Sequence, residues 1–137
     1  MAKKTIPHTT IMLIDDDEDD RKLFLEGLRE VDPSVKLLTA EGGMDAFLKL
    51  EEETQNLPDF IFLDLNMPTM TGQEVLAGLK NDELLKNIPV IIYTTSRSQN
   101  EKDETIKCGA VSWITKPQSM EELRTIISEM LSMYKSL

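Results

Sequence analysis

Apolar residues in this chain gather in short unbroken runs, and polar stretches with a helical rhythm separate them. Thr10-Ile11-Met12-Leu13-Ile14, Phe60-Ile61-Phe62-Leu63 and Val90-Ile91-Ile92-Tyr93 are the clearest runs. A run of strand length without alternation is expected of a strand covered on both faces. Val35–Thr39 and Val111–Thr115 complete the predicted strands. Between them apolar positions recur about one turn apart, which predicts amphipathic helices. The stripes are Leu23, Phe24, Leu28 and Val31; Ala46, Phe47 and Leu50; Val75, Leu76 and Leu79. The last helix carries Leu123, Ile126, Ile127, Met130, Leu131 and Tyr134. The helix before it differs, because Ile106 is its only large aliphatic residue. We expect that helix to touch the core narrowly, through Ile106, and to be the most mobile.

Turn chemistry supports these bounds. Asp32-Pro33 stops the first helix, since proline disfavours helical backbone in the residue before it. Gly42-Gly43 opens the second, and Pro58 ends the polar tail that follows it. Thr71 with Glu74, and Ser119 with Glu122, fit capping boxes; Ser98 with Glu101 offers a further cap, and Gly109 a helix end. Strands and helices alternate throughout. That pattern implies an α/β fold, a parallel sheet with helices on both faces. Right-handed crossovers then favour a doubly wound, flavodoxin-like five-stranded sheet in the order 2-1-3-4-5.

In such a sheet, ligands bind beyond the carboxyl ends of the strands. The residues delivered there are Asp15 and Asp16 after the first strand, Asp64 after the third, Thr94 at the fourth and Lys116 after the fifth. Three crowded carboxylates repel, and a divalent cation removes the difficulty. Mg²⁺ takes oxygen ligands and is held by one or two carboxylates with several waters. Asp16 and Asp64 suit direct ligation, Asp15 ligation through a water, and the Asn66 carbonyl a third protein ligand. A carboxylate can also act as a covalent nucleophile toward phosphorus. Lys116 would then supply a point charge and Thr94 a hydroxyl to the phosphoryl oxygens. Taken singly, these residues read as a helix cap, a strand end and a surface lysine; the joint placement at four strand ends points to chemistry.

Composition narrows the partners. With 137 residues the chain suits one domain. A formal net charge of -10 provides no basic excess to displace counterions from nucleic acid, and disfavours an anionic membrane surface. The single cysteine, Cys108, excludes an intramolecular disulfide and is expected as a small buried or half-buried filler. No apolar stretch has the length of a signal peptide core or a membrane span. We expect a cytoplasmic protein, with residues 1–9, including His8, as a disordered lead.

The segments IDDD at 14–17, FLDLNMP at 62–68, YTTS at 93–96 and ITKP at 114–117 together resemble the receiver domain of two-component response regulators. The resemblance covers essentially residues 10–137. It implies that Asp64 is the phosphoacceptor, loaded by a sensor histidine kinase, a phosphotransfer protein or a small phosphodonor. It implies a Mg²⁺ site of Asp15, Asp16, Asp64 and the Asn66 carbonyl. Thr94 would sense the phosphoryl group and Lys116 contact it. Trp113 takes the place of the family's aromatic switch residue. Asn66 and Ser96 occupy positions that tune phosphoryl lifetime, and both are small and polar, so no extreme persistence is expected. Phosphorylation would switch the surface of helix 4, strand 5 and helix 5 toward an unidentified downstream protein, with a homodimer as one possibility. The chain looks like a stand-alone receiver, and is more loosely similar to the small regulators that partner bacterial phytochromes. It is not expected to be a conventional enzyme, since Asn66 stands where an aspartyl-intermediate phosphatase needs a second acid. The other reading is a receiver-like module that signals by association without phosphorylation.

Overall fold

In the computed structural model, which describes residues 9–135, strands and helices alternate as β1 (Thr10–Ile14), α1 (Glu18–Val31), β2 (Lys36–Ala40), α2 (Gly43–Glu52), β3 (Phe60–Leu63), α3 (Gly72–Lys80), β4 (Val90–Thr94), α4 (Gln99–Lys107), β5 (Ser112–Thr115) and α5 (Met120–Lys135). Among the described residues the strands form one parallel sheet in the order β2-β1-β3-β4-β5, as predicted. His8 and the rest of the lead before Thr9 lie outside the described residues, as does the side chain of Tyr134. Thr9, read as lead, already belongs to the sheet margin: its carbonyl accepts the Lys36 N–H (2.9 Å).

Successive strand residues point to opposite faces, and the core divides accordingly. Met12, Ile14, Ile61, Leu63, Val90 and Ile92 face α2 and α3, packing with Leu50, Val75, Leu76 and Leu79. Ile11, Leu13, Phe60, Phe62, Ile91 and Tyr93 face α1 and α5, packing with Phe24, Leu28, Leu123, Ile127 and Leu131. Phe24 meets Phe62 edge-on at 5.0 Å between ring centroids. The two outer faces explain why the central strands carry no polar alternation.

Several local expectations change. Val35 remains in the turn, its N–H bonded to the Asp32 carbonyl (3.2 Å), so β2 starts one residue later than periodicity indicates. Val111 is 51% exposed and precedes β5, an edge strand with one neighbour. Leu23 is 48% exposed; the inner line of α1 runs through Phe24, Gly27 and Leu28. Gly27 lets α5 approach, since a Cβ there would stand 3.3 Å from Leu123. In α4 the buried residue is Thr105, and Ile106 is 43% exposed. The Thr105 hydroxyl donates to the Glu101 and Lys102 carbonyls, which satisfies it inside the fold. Cys108 is exposed, because it is the C-cap of α4 and turns outward. Gly109 follows with φ 110°, a left-handed residue that ends the helix at no steric cost.

Candidate functional site

Each site residue is placed by the sheet ladder itself. The Asp15 N–H bonds the Ala40 carbonyl (3.0 Å), and the Asp64 N–H bonds the Ile14 carbonyl (3.0 Å). The Lys116 N–H bonds the Thr94 carbonyl (2.8 Å). All three residues therefore sit one step past their strands while their backbones still belong to the sheet. Such anchoring fixes where the side chains start more firmly than a free loop would.

Asp15, Asp16 and Asp64 each direct a carboxylate oxygen into one group, all within 4.8 Å of one another. Asp15 and Asp64 are buried and Asp16 is exposed, so the group opens to solvent on one side. Lys116 reaches in from β5. Its Nζ lies 2.7 Å from Asp15 Oδ2, 2.7 Å from Asp20 Oδ2 and 3.4 Å from Asp64 Oδ2. The Lys116 ammonium lies over the Tyr93 ring, with Nζ 5.7 Å from its centroid.

Electrostatics follow from burial. Burial raises the Asp15 carboxyl to about 6, against the Lys116 hydrogen bond and the Asp17 N–H, which lower it, and with the Asp64 charge adding to the rise. Burial alone would depress the Lys116 ammonium, but its bonds to Asp15 and Asp20 and the surrounding charges hold it above the ordinary lysine value. Tyr93 is raised chiefly by burial and stays a neutral phenol. Asp15 Oδ1 accepts the Asp17 N–H (3.0 Å). Its Oδ2 is fully buried and meets the Lys116 ammonium at 2.7 Å. The Lys116 ammonium supplies the opposite charge that this buried oxygen needs in the metal-free fold. The donor set is all oxygen, with two buried carboxylates and one exposed, which fits a hard divalent cation that keeps part of its water.

The remaining predicted residues fall around this group. Asn66 is exposed, and its N–H is 3.4 Å from Asp64 Oδ1. Thr94 is fully buried at the end of β4, and its hydroxyl oxygen accepts the Ser96 N–H (3.2 Å). No hydrogen bond joins it to Asp64 among the described residues. Trp113 pairs in register with Ile92 and is half-buried against the cluster on the α2–α3 face.

Three features escaped the sequence reading. Asp17, not Asp15 or Asp16, caps α1, accepting the Asp20 N–H at 3.1 Å. Asp20, in the first turn of α1, meets Lys116. The signal was its position one turn past Asp16, which returns it to the same edge of the sheet. Ser96 is also tied more tightly than its size suggested: its hydroxyl makes a short hydrogen bond to Glu101 and accepts the Ser98 N–H. Glu101 is thereby diverted from completing a capping box with Ser98.

Residues 11–128 match the response regulator receiver domain family. The chain is 32% identical over 127 residues to response regulator Rcp1 of Synechocystis sp., covering 90% of this chain and 86% of that protein. It is 36% identical over 123 residues to histidine kinase P4 of Formosa agariphila, where it spans only 8% of the longer protein. In three dimensions it is similar to the phosphorylated cyanobacterial phytochrome response regulator RcpA, with a TM-score of 0.85 at 32% identity over 95% of this chain and 96% of that one. It also superposes on the Mn²⁺-bound form of Rcp1, with a TM-score of 0.80 at 28% identity over 92% and 94% of the two chains. Receiver domains bind Mg²⁺ or Mn²⁺ at an acidic cluster, are phosphorylated by histidine kinases and are generally not conventional enzymes. With fold, acidic group and sequence in agreement over nearly its whole length, the chain belongs to the response regulator receiver domains of two-component signalling.

Proposed function

We propose that the chain is a phosphoacceptor whose Asp64 takes a phosphoryl group from a histidine kinase, a phosphotransfer protein or a small phosphodonor. The observation that supports this most is the meeting of Asp64 with Asp15, Asp16 and Lys116 at one strand edge. With a phosphohistidine donor, an Asp64 oxygen forms a bond to phosphorus as the P–N bond breaks, and the leaving imidazole nitrogen takes up a proton from solvent; with a small phosphodonor the bond from phosphorus to its leaving group breaks instead. No other covalent chemistry is needed, because phosphoryl transfer depends on positioning and charge neutralisation. Asp15, Asp16, Asp64 and the Asn66 carbonyl would hold Mg²⁺, which supplies charge neutralisation for the phosphoryl oxygens. The ladder bonds at Asp64 and Lys116 fix the backbone positions from which nucleophile and ammonium reach the site.

The readout runs through β4 and β5. The Thr94 hydroxyl, which accepts the Ser96 N–H, donates its hydrogen to the phosphoryl group, and the half-buried Trp113, on the same sheet face, adjusts to the change. The surface of α4, β5 and α5 then favours one of two arrangements, read by a downstream protein or a second copy of the chain. The domain spans 10–137 on this reading. Labelling with a phosphodonor and Mg²⁺, followed by amide exchange on the product, tests it. We expect one phosphoryl group per chain, lost in Asp64→Asn, and altered exchange at α4 and β5. A chain that labels without any change there has lost the switch; one that does not label, yet still binds its partner, is a module that signals by association.

A further inference from the structure

The lysine of the site is held by a residue that phosphoryl transfer does not require. Lys116 Nζ donates to Asp20 Oδ2 at 2.7 Å, and to Asp64 Oδ2 only at 3.4 Å. The Lys116 side chain is 9% exposed, so bulk water satisfies little of it and the carboxylates must. Asp20 is placed by the same turn that starts α1, its N–H donating to the capping Asp17. Its own side chain is 32% exposed. Water can therefore take over from the lysine at Asp20, which is harder at the buried Asp15 or Asp64.

We propose that Asp20 is a positioning residue: it parks the Lys116 ammonium on the α1 side of the site and competes for it with a phosphoryl group on Asp64. The inference rests on the phosphoacceptor reading above. A lysine ammonium is a compact charge with three rotatable donors on a flexible stem, so it transfers between acceptors by a small swing. A phosphorylated Asp64 presents about two negative charges and three strong acceptors, enough to draw the ammonium from Asp20 at a cost. That cost weakens the phosphorylated state. Asp20 therefore sets how strongly Lys116 engages it, without itself touching the group transferred. A purely structural ion pair tying α1 to the end of β5 would act on stability alone.

The test is beryllofluoride with Mg²⁺, a phosphoryl mimic, titrated by ¹⁹F NMR into the wild-type chain, Asp20→Asn, Asp20→Ser, Lys116→Met and the Asp20→Asn/Lys116→Met pair. Asp19→Asn, an exposed acid on the same turn, controls for the loss of charge alone. We expect Asp20→Asn and Asp20→Ser to bind the mimic about threefold more tightly, the scale of a partly exposed charged pair. In the Lys116→Met background the gain should vanish, and Asp19→Asn should give less than half of it. A shift in melting temperature with unchanged mimic binding overturns the proposal, as does a gain that survives without Lys116 or is matched at Asp19. No binding to the wild type would overturn the phosphoacceptor reading and this inference together; normal wild-type binding with no Asp20 effect overturns this inference alone.

Discussion

Asp15 shows at the residue scale how burial and function pull in opposite directions. Burial raises its carboxyl from 3.8 to about 6. The folded chain thus keeps a proton that the unfolded chain has released, and the stability this group contributes falls as pH rises between about pH 4 and pH 6. At neutral pH the ionised Asp15 is a cost carried by the metal-free fold. We predict that Asp15→Asn melts higher than wild type at pH 7 without metal, by about 1–2 kcal/mol, and that the difference closes near pH 4. Thermal unfolding across that range measures it. The same variant should lose most of the response to Mg²⁺, because one of three carboxylates has become a neutral amide.

A second residue-scale effect is steric. A Cβ on Gly72 would collide with the Asp64 carbonyl and come within 2.6 Å of Leu65 Cα. Both contacts are backbone, so neither can yield by a side-chain rotation. Gly72→Ala is predicted to destabilise by about 1–3 kcal/mol through overpacking and to slow labelling of Asp64 by displacing its peptide. Gly42→Ser, where nothing stands within 4 Å, should stay within about 0.5 kcal/mol of wild type. Denaturant melts paired with labelling rates would separate the two sites.

Among the elements, α4 is the outlier. Its apolar face is nearly absent, its buried residue is a threonine, and its first turn is tied to the preceding loop through the Ser96–Glu101 bond and capped by Ser98. Helices with little buried apolar surface open at low free energy. We predict that the α4 amides exchange fastest of the helices in the unphosphorylated chain, ahead of α3, whose complete Thr71–Glu74 capping box and buried Val75, Leu76 and Leu79 hold it. Equal protection in α3 and α4 would remove the structural reason for placing the switch there. The hydrophobic stripes foresaw this contrast, since a missing stripe is as legible as a present one. They did not foresee which α4 residue goes inside, because a hydroxyl that bonds back to its own helix can be buried at little cost.

At the scale of the whole molecule, the acidic group couples stability to metal. Ligands that bind only the folded state stabilise it by mass action. Saturating Mg²⁺ at about one hundred times its dissociation constant should therefore add about 2.7 kcal/mol at pH 7. Ligation needs ionised carboxylates, so that gain should shrink below about pH 6 as Asp15 takes up its proton. The metal-free and metal-loaded chains are thus expected to respond to acidification in opposite directions, which calorimetry with and without Mg²⁺ would reveal. Among the described residues no helix is long and apolar enough to cross a membrane, and the cationic partner that a charge of -10 favours is the one that these carboxylates provide for.

The strand runs, helix stripes and caps are local patterns, so the order of elements, the parallel sheet and the residues at the four strand ends followed from the sequence by itself. Periodicity reports which face of its own element a residue occupies. It carries no information on which residue of another element will stand opposite. That is why the Lys116–Asp20 bond, across 96 positions of chain, and the pressure of Gly72 on the Asp64 peptide were decided only by tertiary packing. Strand ends are set by each strand's own pattern, whereas the choice of partner for a buried charge is set by distances that exist only once separate strands and helices have closed on one another.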